Sequence, residues 1–242
     1  MKILVISDIH ANLTALQAVL DAAGNFDEAW CLGDIVGYGA DINECVDTVK
    51  NLPNLKCVLG NHDLALSSEQ NLDVFNEEAK KAILVSKKYI TDESIAFLRQ
   101  LPEIITVENA TLVHGSPQNP VWEYILEKYS AMETFEMLDG QFVFVGHSHL
   151  PLFFTQNAPG EISQRRLLQP GTVIQLAQRA IMNPGSVGQP RDNDPRASFG
   201  LFDPQNLTWQ INRVEYDIPA VQKRIIDAGL PARHAKRLSN GW

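Results

Sequence analysis

Ile3-Leu4-Val5-Ile6 running into Ser7-Asp8-Ile9-His10 is the stretch from which the rest of the chain is read. Four consecutive apolar residues suit a strand buried on both faces, and the run stops at an acid and an imidazole rather than at an ordinary turn. The same event recurs four times. Ala29-Trp30-Cys31-Leu32 runs into Gly33-Asp34, and Lys56-Cys57-Val58-Leu59 runs into Gly60-Asn61-His62-Asp63. Thr111-Leu112-Val113 runs into His114-Gly115, and Phe142-Val143-Phe144-Val145 into Gly146-His147-Ser148-His149. Five strands thus end in Asp, Asn or His, mostly beside a glycine that lets the backbone turn sharply. Ligands of open α/β sheets gather outside the carboxyl ends of strands, so these five ends are expected to meet at one site.

Between them the chain alternates. Asn12 caps a helix over 13–23 that stops at Gly24, a strand follows over 28–32, and a helix over 41–51 halts before Pro53. A third strand is expected over 55–59, then helices over 73–89 and 92–100. Strands over 103–107 and 110–114 pair through a turn at Glu108-Asn109. A helix over 130–138 ends at Asp139-Gly140 and leads into a strand over 141–145. Short strands follow near 152–156, 164–168, 178–181, 197–202 and 207–214, and a last helix over 219–228 stops at Gly229. Alternation first and hairpins later predict an α/β fold of two mixed sheets packed as a sandwich with helices outside. No repeat, low-complexity stretch or linker divides the sequence, which reads as one domain over 1–242.

Composition excludes several classes. The 242 residues carry 20 Lys plus Arg against 29 Asp plus Glu, a net charge of −9, which leaves no surplus of cations for a broad nucleic-acid surface or a polybasic membrane anchor. No apolar run is long enough to span a bilayer. The N-terminal run reaches Asp8 and His10 without a cleavage site, and Cys31, Cys45 and Cys57 form no CxxC pair. A cytoplasmic location is expected. The absence of GxxxxGK[ST], HExxH and GxSxG removes P-loop, zincin and α/β-hydrolase readings.

Five of the six histidines lie in the strand-end blocks, and His234 is the one left over. The pairs Asp8/His10 and His147/His149 stand two residues apart, and extended backbone would put each pair on one side, within reach of one metal. Imidazole nitrogen combined with carboxylate and amide oxygen suits Mn, Fe, Zn, Co or Ni rather than Ca or Mg. A lone strand-end Asp is usually a cap or turn residue, and an isolated His is usually hydrogen-bonded filler. Five coincident strand ends are what point to a metal.

In order, these blocks resemble the signature of the calcineurin-like metallophosphoesterase superfamily, DxH, GD, GNH[DE], H and GHxH. With Asn183-Pro184-Gly185-Ser186-Val187-Gly188 the likeness runs from Asp8 to about Pro190, and 114–117, 121–124 and 188–192 look like one compact prokaryotic branch. The resemblance implies a four-layer αββα fold and two divalent transition-metal ions, Mn or Fe favoured. Asp8, His10, Asp34 and His149 would hold the first, and Asp34, Asn61, His114 and His147 the second, with Asp34 bridging. It implies hydrolysis of phosphodiesters or small-molecule phosphate esters by attack of a hydroxide that bridges the metals. His62 would be the general acid or a hydrogen-bonding neighbour of the ligands, and Asp63 would orient it or cap the following helix. Protein phosphatases of the superfamily carry GDxVDRG, whereas Gly33-Asp34-Ile35-Val36-Gly37-Tyr38-Gly39 lacks both later charged residues, and His149 is present. A small phosphate ester, with nucleotides among the candidates, is therefore expected before a phosphoprotein. A non-catalytic metal-binding scaffold for protein partners is the rival on the same fold. Asn12, Tyr38 and Arg191 are candidate substrate contacts. Arg196, Trp122 and Tyr124 are weaker ones, 116–129 is a candidate lid, and 183–186 a structural turn under the site.

Overall fold

β1 (Ile3–Ile6) is buried on both faces, and its alternation separates two cores. Ile3 and Val5 belong to an apolar seam with Trp30, Leu112, Phe144 and Trp209, whereas Leu4 and Ile6 belong to another with Leu16, Val19, Val46 and Phe199. A continuous apolar run is what a strand between a second sheet and a helical layer requires.

The structure, a computed structural model, describes residues 1–68, 72–138, 140–166 and 169–242, except for the side chains of 164–166. After β1 come α1 (Leu13–Ala23), β2 (Glu28–Cys31), α2 (Ile42–Lys50), β3 (Lys56–Cys57), α3 (Asn61–Ser67), α4 (Glu77–Ser86) and α5 (Asp92–Leu98). Next are β4 (Ile104–Val107), β5 (Ala110–Val113), α6 (Lys128–Met137), β6 (Phe142–Phe144), β7 (Leu152–Ala158) and β8 (Glu161–Arg166). The chain closes with β9 (Val173–Gln175), β10 (Arg179–Met182), β11 (Ala197–Asp203), β12 (Thr208–Val214), α7 (Ile218–Asp227) and α8 (Ala232–Leu238).

Two mixed six-stranded sheets result, ordered β3-β2-β1-β11-β12-β9 and β4-β5-β6-β10-β7-β8. Three apolar seams make four layers: one between the first sheet and its helices, one between the sheets, and one that joins Val113, Val145 and Phe154 to Phe135 of α6. A fourth cluster packs α4, α7 and α8 together around Tyr38. No helix among the described residues is long and apolar enough to cross a membrane.

Several expected elements change. The strand over 55–59 forms only at 56–57: Val58 N still donates to Cys31 O, but Leu59 N turns to Pro102 O and leaves the ladder. The helix over 73–89 becomes a 3₁₀ turn at Leu72–Val74 followed by α4, because Asn76 is extended (ψ 159°) and its side chain caps Ala79 N at 2.9 Å. β9, a short edge strand, and α8, which follows Pro231, were not expected. The strand near 164–168 is β8, shifted toward Glu161, with 167–168 outside the described residues, as is Asp139 of the expected helix stop.

Candidate metal centre

All five predicted strand ends converge. β1, β2 and β3 run parallel in one sheet and β5 and β6 run parallel in the other, so the loops leaving their carboxyl ends gather at one edge of the sandwich. The extended-backbone argument for the residue pairs is corrected, however. Asp8, His10, Asp34, His147 and His149 all adopt left-handed backbone, with φ between 49° and 61°. For non-glycine residues this costs of order 1–3 kcal/mol each, although Asp and His tolerate it better than most. Tight left-handed turns, rather than period-two alternation, point these side chains inward.

Backbone carbonyls fix the imidazole tautomers. His10 Nδ1 lies 3.1 Å from Val36 O and His149 Nδ1 lies 2.5 Å from Gln189 O, so in the neutral ring each Nδ1 carries the proton and each Nε2 is bare. The two Nε2 atoms stand 3.0 Å apart. His114 Nδ1 donates to Leu32 O at 2.7 Å and His147 Nε2 to Trp122 O at 3.1 Å, and the remaining His114 Nε2 and His147 Nδ1 are 3.1 Å apart. Two pairs of lone pairs thus aim at two points. Asn61 Oδ1, a further acceptor, lies 3.2 Å from His114 Nε2.

The carboxylates complete this pattern. Asp8 Oδ2 accepts His147 N–H at 3.1 Å, which leaves Oδ1 buried without a hydrogen-bond partner, 3.3 Å from His149 Nε2. Asp34 Oδ1 accepts His62 N–H at 2.8 Å, and its Oδ2 lies 3.7 Å from His10 Nε2 and 3.5 Å from His114 Nε2, between the two imidazole pairs. Ligand atoms of Asp8, His10 and His149 lie within 4.8 Å of one another, as do those of Asp34, His114 and His147. Buried acceptors facing acceptors are destabilising unless a cation or proton stands between them. The donor set therefore fits a pair of divalent ions.

Charge behaviour agrees with that chemistry. Burial pushes Asp8 up to about 7, and pushes His10 and His149 well down. Burial also works against charged His114, but the Asp34 carboxylate outweighs it and holds this imidazole at about 9. Asp34 itself is held below the ordinary carboxylate range, His114 and His62 overcoming its burial. Protons thus stand on this centre where cations fit.

His62 sits beside the ligand cluster, its ring 4.5 Å from Tyr38 and 5.1 Å from Phe75. Burial pushes it down to about 4, so it is neutral at pH 7, and its Nδ1 has no hydrogen-bond partner. His10, Asp34 and His62 also bring ligand atoms within 4.8 Å, so proximity alone does not separate His62 from the ligands. Asp63 does not touch its ring. Its carboxylate accepts Asp34 N at 2.8 Å, Gly60 N at 3.1 Å and Val36 N at 3.1 Å, which clamps the β2 loop to the start of α3. That close approach explains Gly60, where an added Cβ would run into the backbone and carboxylate of Asp34.

A cleft of ≈ 700 Å³ opens over the cluster, walled by Tyr38, Phe75, Trp122, Tyr124 and Arg191. Of the candidate contacts, Tyr38 and Arg191 are on this wall. Asn12 stands at the start of α1, where its Oδ1 caps Ala15 N at 3.1 Å and its Nδ2 donates to Gly188 O at 3.1 Å. Arg196 is committed to Asp194 at 2.6 Å. Asn183 supports the 146–148 turn through Gly146 O at 2.7 Å and Ser148 Oγ at 3.1 Å. Tyr124 stacks on His147 at 3.9 Å, so 116–129 supplies cleft wall. Phe75, Arg233, His234 and Arg237 also line the cleft and were missed, the last three because α8 was not foreseen. The leftover sixth histidine was the one available signal.

Comparison with known proteins supplies relatives. The calcineurin-like phosphoesterase superfamily domain matches residues 1–207. An uncharacterized protein of Methanocaldococcus jannaschii is 41% identical over 99% of this chain and 98% of its own length. A symmetrical bis(5′-nucleosyl)-tetraphosphatase of Psychromonas ingrahamii is 32% identical over 58% of this chain and 52% of its own length, so that match spans about half of each protein. The crystal structure of a metallophosphoesterase from Sphaerobacter thermophilus superimposes with a TM-score of 0.92 at 41% identity, covering 100% and 99% of the two chains.

Proposed function

This chain belongs to the calcineurin-like phosphoesterase superfamily, and from that premise we propose that it is a dinuclear metal-dependent phosphoesterase acting on small phosphate esters, nucleotides foremost. One observation carries the reading: two pairs of tautomer-fixed imidazole nitrogens, each pair facing itself, with Asp34 Oδ2 between them. In this reading Asp8, His10, Asp34 and His149 hold one ion, and Asp34, Asn61, His114 and His147 the other. Bound there, two divalent cations supply Lewis-acid charge to a phosphate ester and acidify water near neutral pH. The chain's own residues do the rest. Asp34 presents one oxygen inward because His62 N–H holds the other. The neutral His62 imidazole offers an N–H to the leaving oxygen, and Arg191 meets a non-bridging phosphate oxygen from the rim. Residues 1–242 act as one domain, since α7 and α8 pack against Tyr38 and α4 beside the cleft.

Nucleotides are favoured by the aromatic wall, where Phe75 and Trp122 lie 5.4 Å apart edge to face and Tyr124 is half exposed, and by the tetraphosphatase relatives. The test is hydrolysis of a chromogenic diester, a chromogenic monoester and a nucleotide panel by metal-depleted and Mn²⁺-loaded protein. Mn²⁺-dependent turnover of at least one ester is expected. Two bound metals with no turnover of any ester would favour a binding scaffold instead.

A further inference from the structure

The cleft has a second, cationic side. Arg191, Arg233 and Arg237 all line it, the last two four residues apart on α8 and therefore on one helix face. His234, on the same helix, places its ring 4.6 Å from Tyr38, whose ring is 4.5 Å from His62, so this face stands two ring contacts from the ligand cluster.

Hydrogen bonds hold this helix against the rest of the fold. Arg224 of α7 donates to both oxygens of Asp41 at 2.8 and 2.9 Å, and Gln222 donates to Ala235 O of α8 at 2.8 Å. The chain end folds back, Asn193 N donating to Gly241 O at 2.7 Å, which ties α8 to the loop that carries Arg191. Trp242 lies 5.7 Å from the guanidinium carbons of both Arg233 and Arg237, and its carbonyl accepts Arg237 Nε–H at 2.6 Å.

Acidic side chains neutralise this face poorly. Among the described residues no Asp or Glu side chain pairs with Arg191 or Arg237; Arg191 Nη2 donates to Gln189 Oε1 at 3.2 Å, while its Nε is buried without a partner. Arg233 meets Glu78 at 3.4 Å, but with side chains 55% and 41% exposed that pair is weak and exchangeable. Burial, then the charges of Arg191 and Arg233, push Arg237 below its ordinary value, the signature of guanidiniums crowded without an anion. A planar guanidinium matches phosphate oxygens two at a time. The superfamily match ends at residue 207, so α8 lies beyond the common domain.

We propose that Arg233 and Arg237, with Arg191 reaching across from the first phosphate, form a subsite for a second phosphoryl group, anhydride-linked to the one at the Asp/His cluster, and that the substrate class is a nucleoside or dinucleoside polyphosphate. This rests on the phosphoesterase reading above, and the test separates the two. Calorimetric binding of inorganic tripolyphosphate and inorganic phosphate to metal-depleted protein needs no turnover. Wild type binds tripolyphosphate at least tenfold more tightly than phosphate, and Arg233→Gln/Arg237→Gln loses at least tenfold in tripolyphosphate affinity. Arg237→Lys, which keeps the charge but not the fork, loses less than Arg237→Gln, an outcome that a purely structural contact with Trp242 does not produce. Arg191→Gln, which leaves Trp242 untouched, is read in the same way should the double variant not fold. Equal tripolyphosphate affinity in wild type and the Gln variants overturns the subsite. Arginine-dependent binding without turnover of any ester supports the subsite and overturns the esterase reading, and turnover with arginine-independent binding does the reverse.

Discussion

The backbone N–H of His62 donates to Asp34 Oδ1 at 2.8 Å, so the first residue past Asn61 sets which oxygen of Asp34 faces the imidazoles. The start of α3 and the end of β2 thus build the centre jointly. Asp63 reinforces the join from beneath through Asp34 N and Gly60 N.

Asp34→Asn removes the one charged oxygen that both imidazole pairs share. Both metals are expected to fall together in occupancy, measured by elemental analysis after dialysis against limiting Mn²⁺. Loss of one metal with the other retained would show that Asp34 does not bridge.

His62→Ala spares every atom assigned to a metal. Metal content should match wild type while kcat on the best ester falls by about 10²–10³, the usual worth of a preorganised hydrogen-bond donor to developing charge. Undiminished turnover removes His62 from the mechanism, and loss of metal makes it a ligand, as its nearness to His10 and Asp34 also allows.

Gly60→Ala drives a methyl group into Asp34. Overpacking of this kind costs about 1–3 kcal/mol, and here the strain falls on Asp34. A lowered thermal midpoint together with weakened Mn²⁺ binding is expected. A lowered midpoint with full metal affinity would mean that the β2 loop and α3 relax independently.

Acid should weaken metal binding. In the metal-free protein burial raises Asp8 to about 7, and Asp34 holds His114 near 9, so protons occupy the centre at neutral pH and a metal must displace them. Apparent Mn²⁺ affinity should therefore rise between pH 6 and 8. Titration calorimetry in buffers of different ionisation enthalpy should show net proton release. Binding with no proton release contradicts the protonation pattern.

Much of this centre was legible because its chemistry is local to strand ends. Asp8, Asp34 and His114 each follow an apolar run, and a run buried on both faces announces itself in sequence. How the residues converge was not legible, because left-handed backbone at His147 and His149 is set by turn packing rather than by side-chain pattern. Asn12 reads two ways for a related reason: an amide at a strand end caps a helix as readily as it meets a ligand, and here it caps α1. The α8 wall escaped notice since Ala232–Leu238 is short and owes its place to contacts with α7 and α4. β3 fell short of its apolar run because Pro102 O captured Leu59 N, a long-range competition that no local window contains.

The most direct measurement is anomalous diffraction from crystals of the Mn²⁺-loaded protein. Two peaks about 3.5–4 Å apart are expected, one among Asp8, His10, Asp34 and His149 and the other among Asp34, Asn61, His114 and His147. A single peak, or ions bound away from these residues, would contradict the dinuclear account.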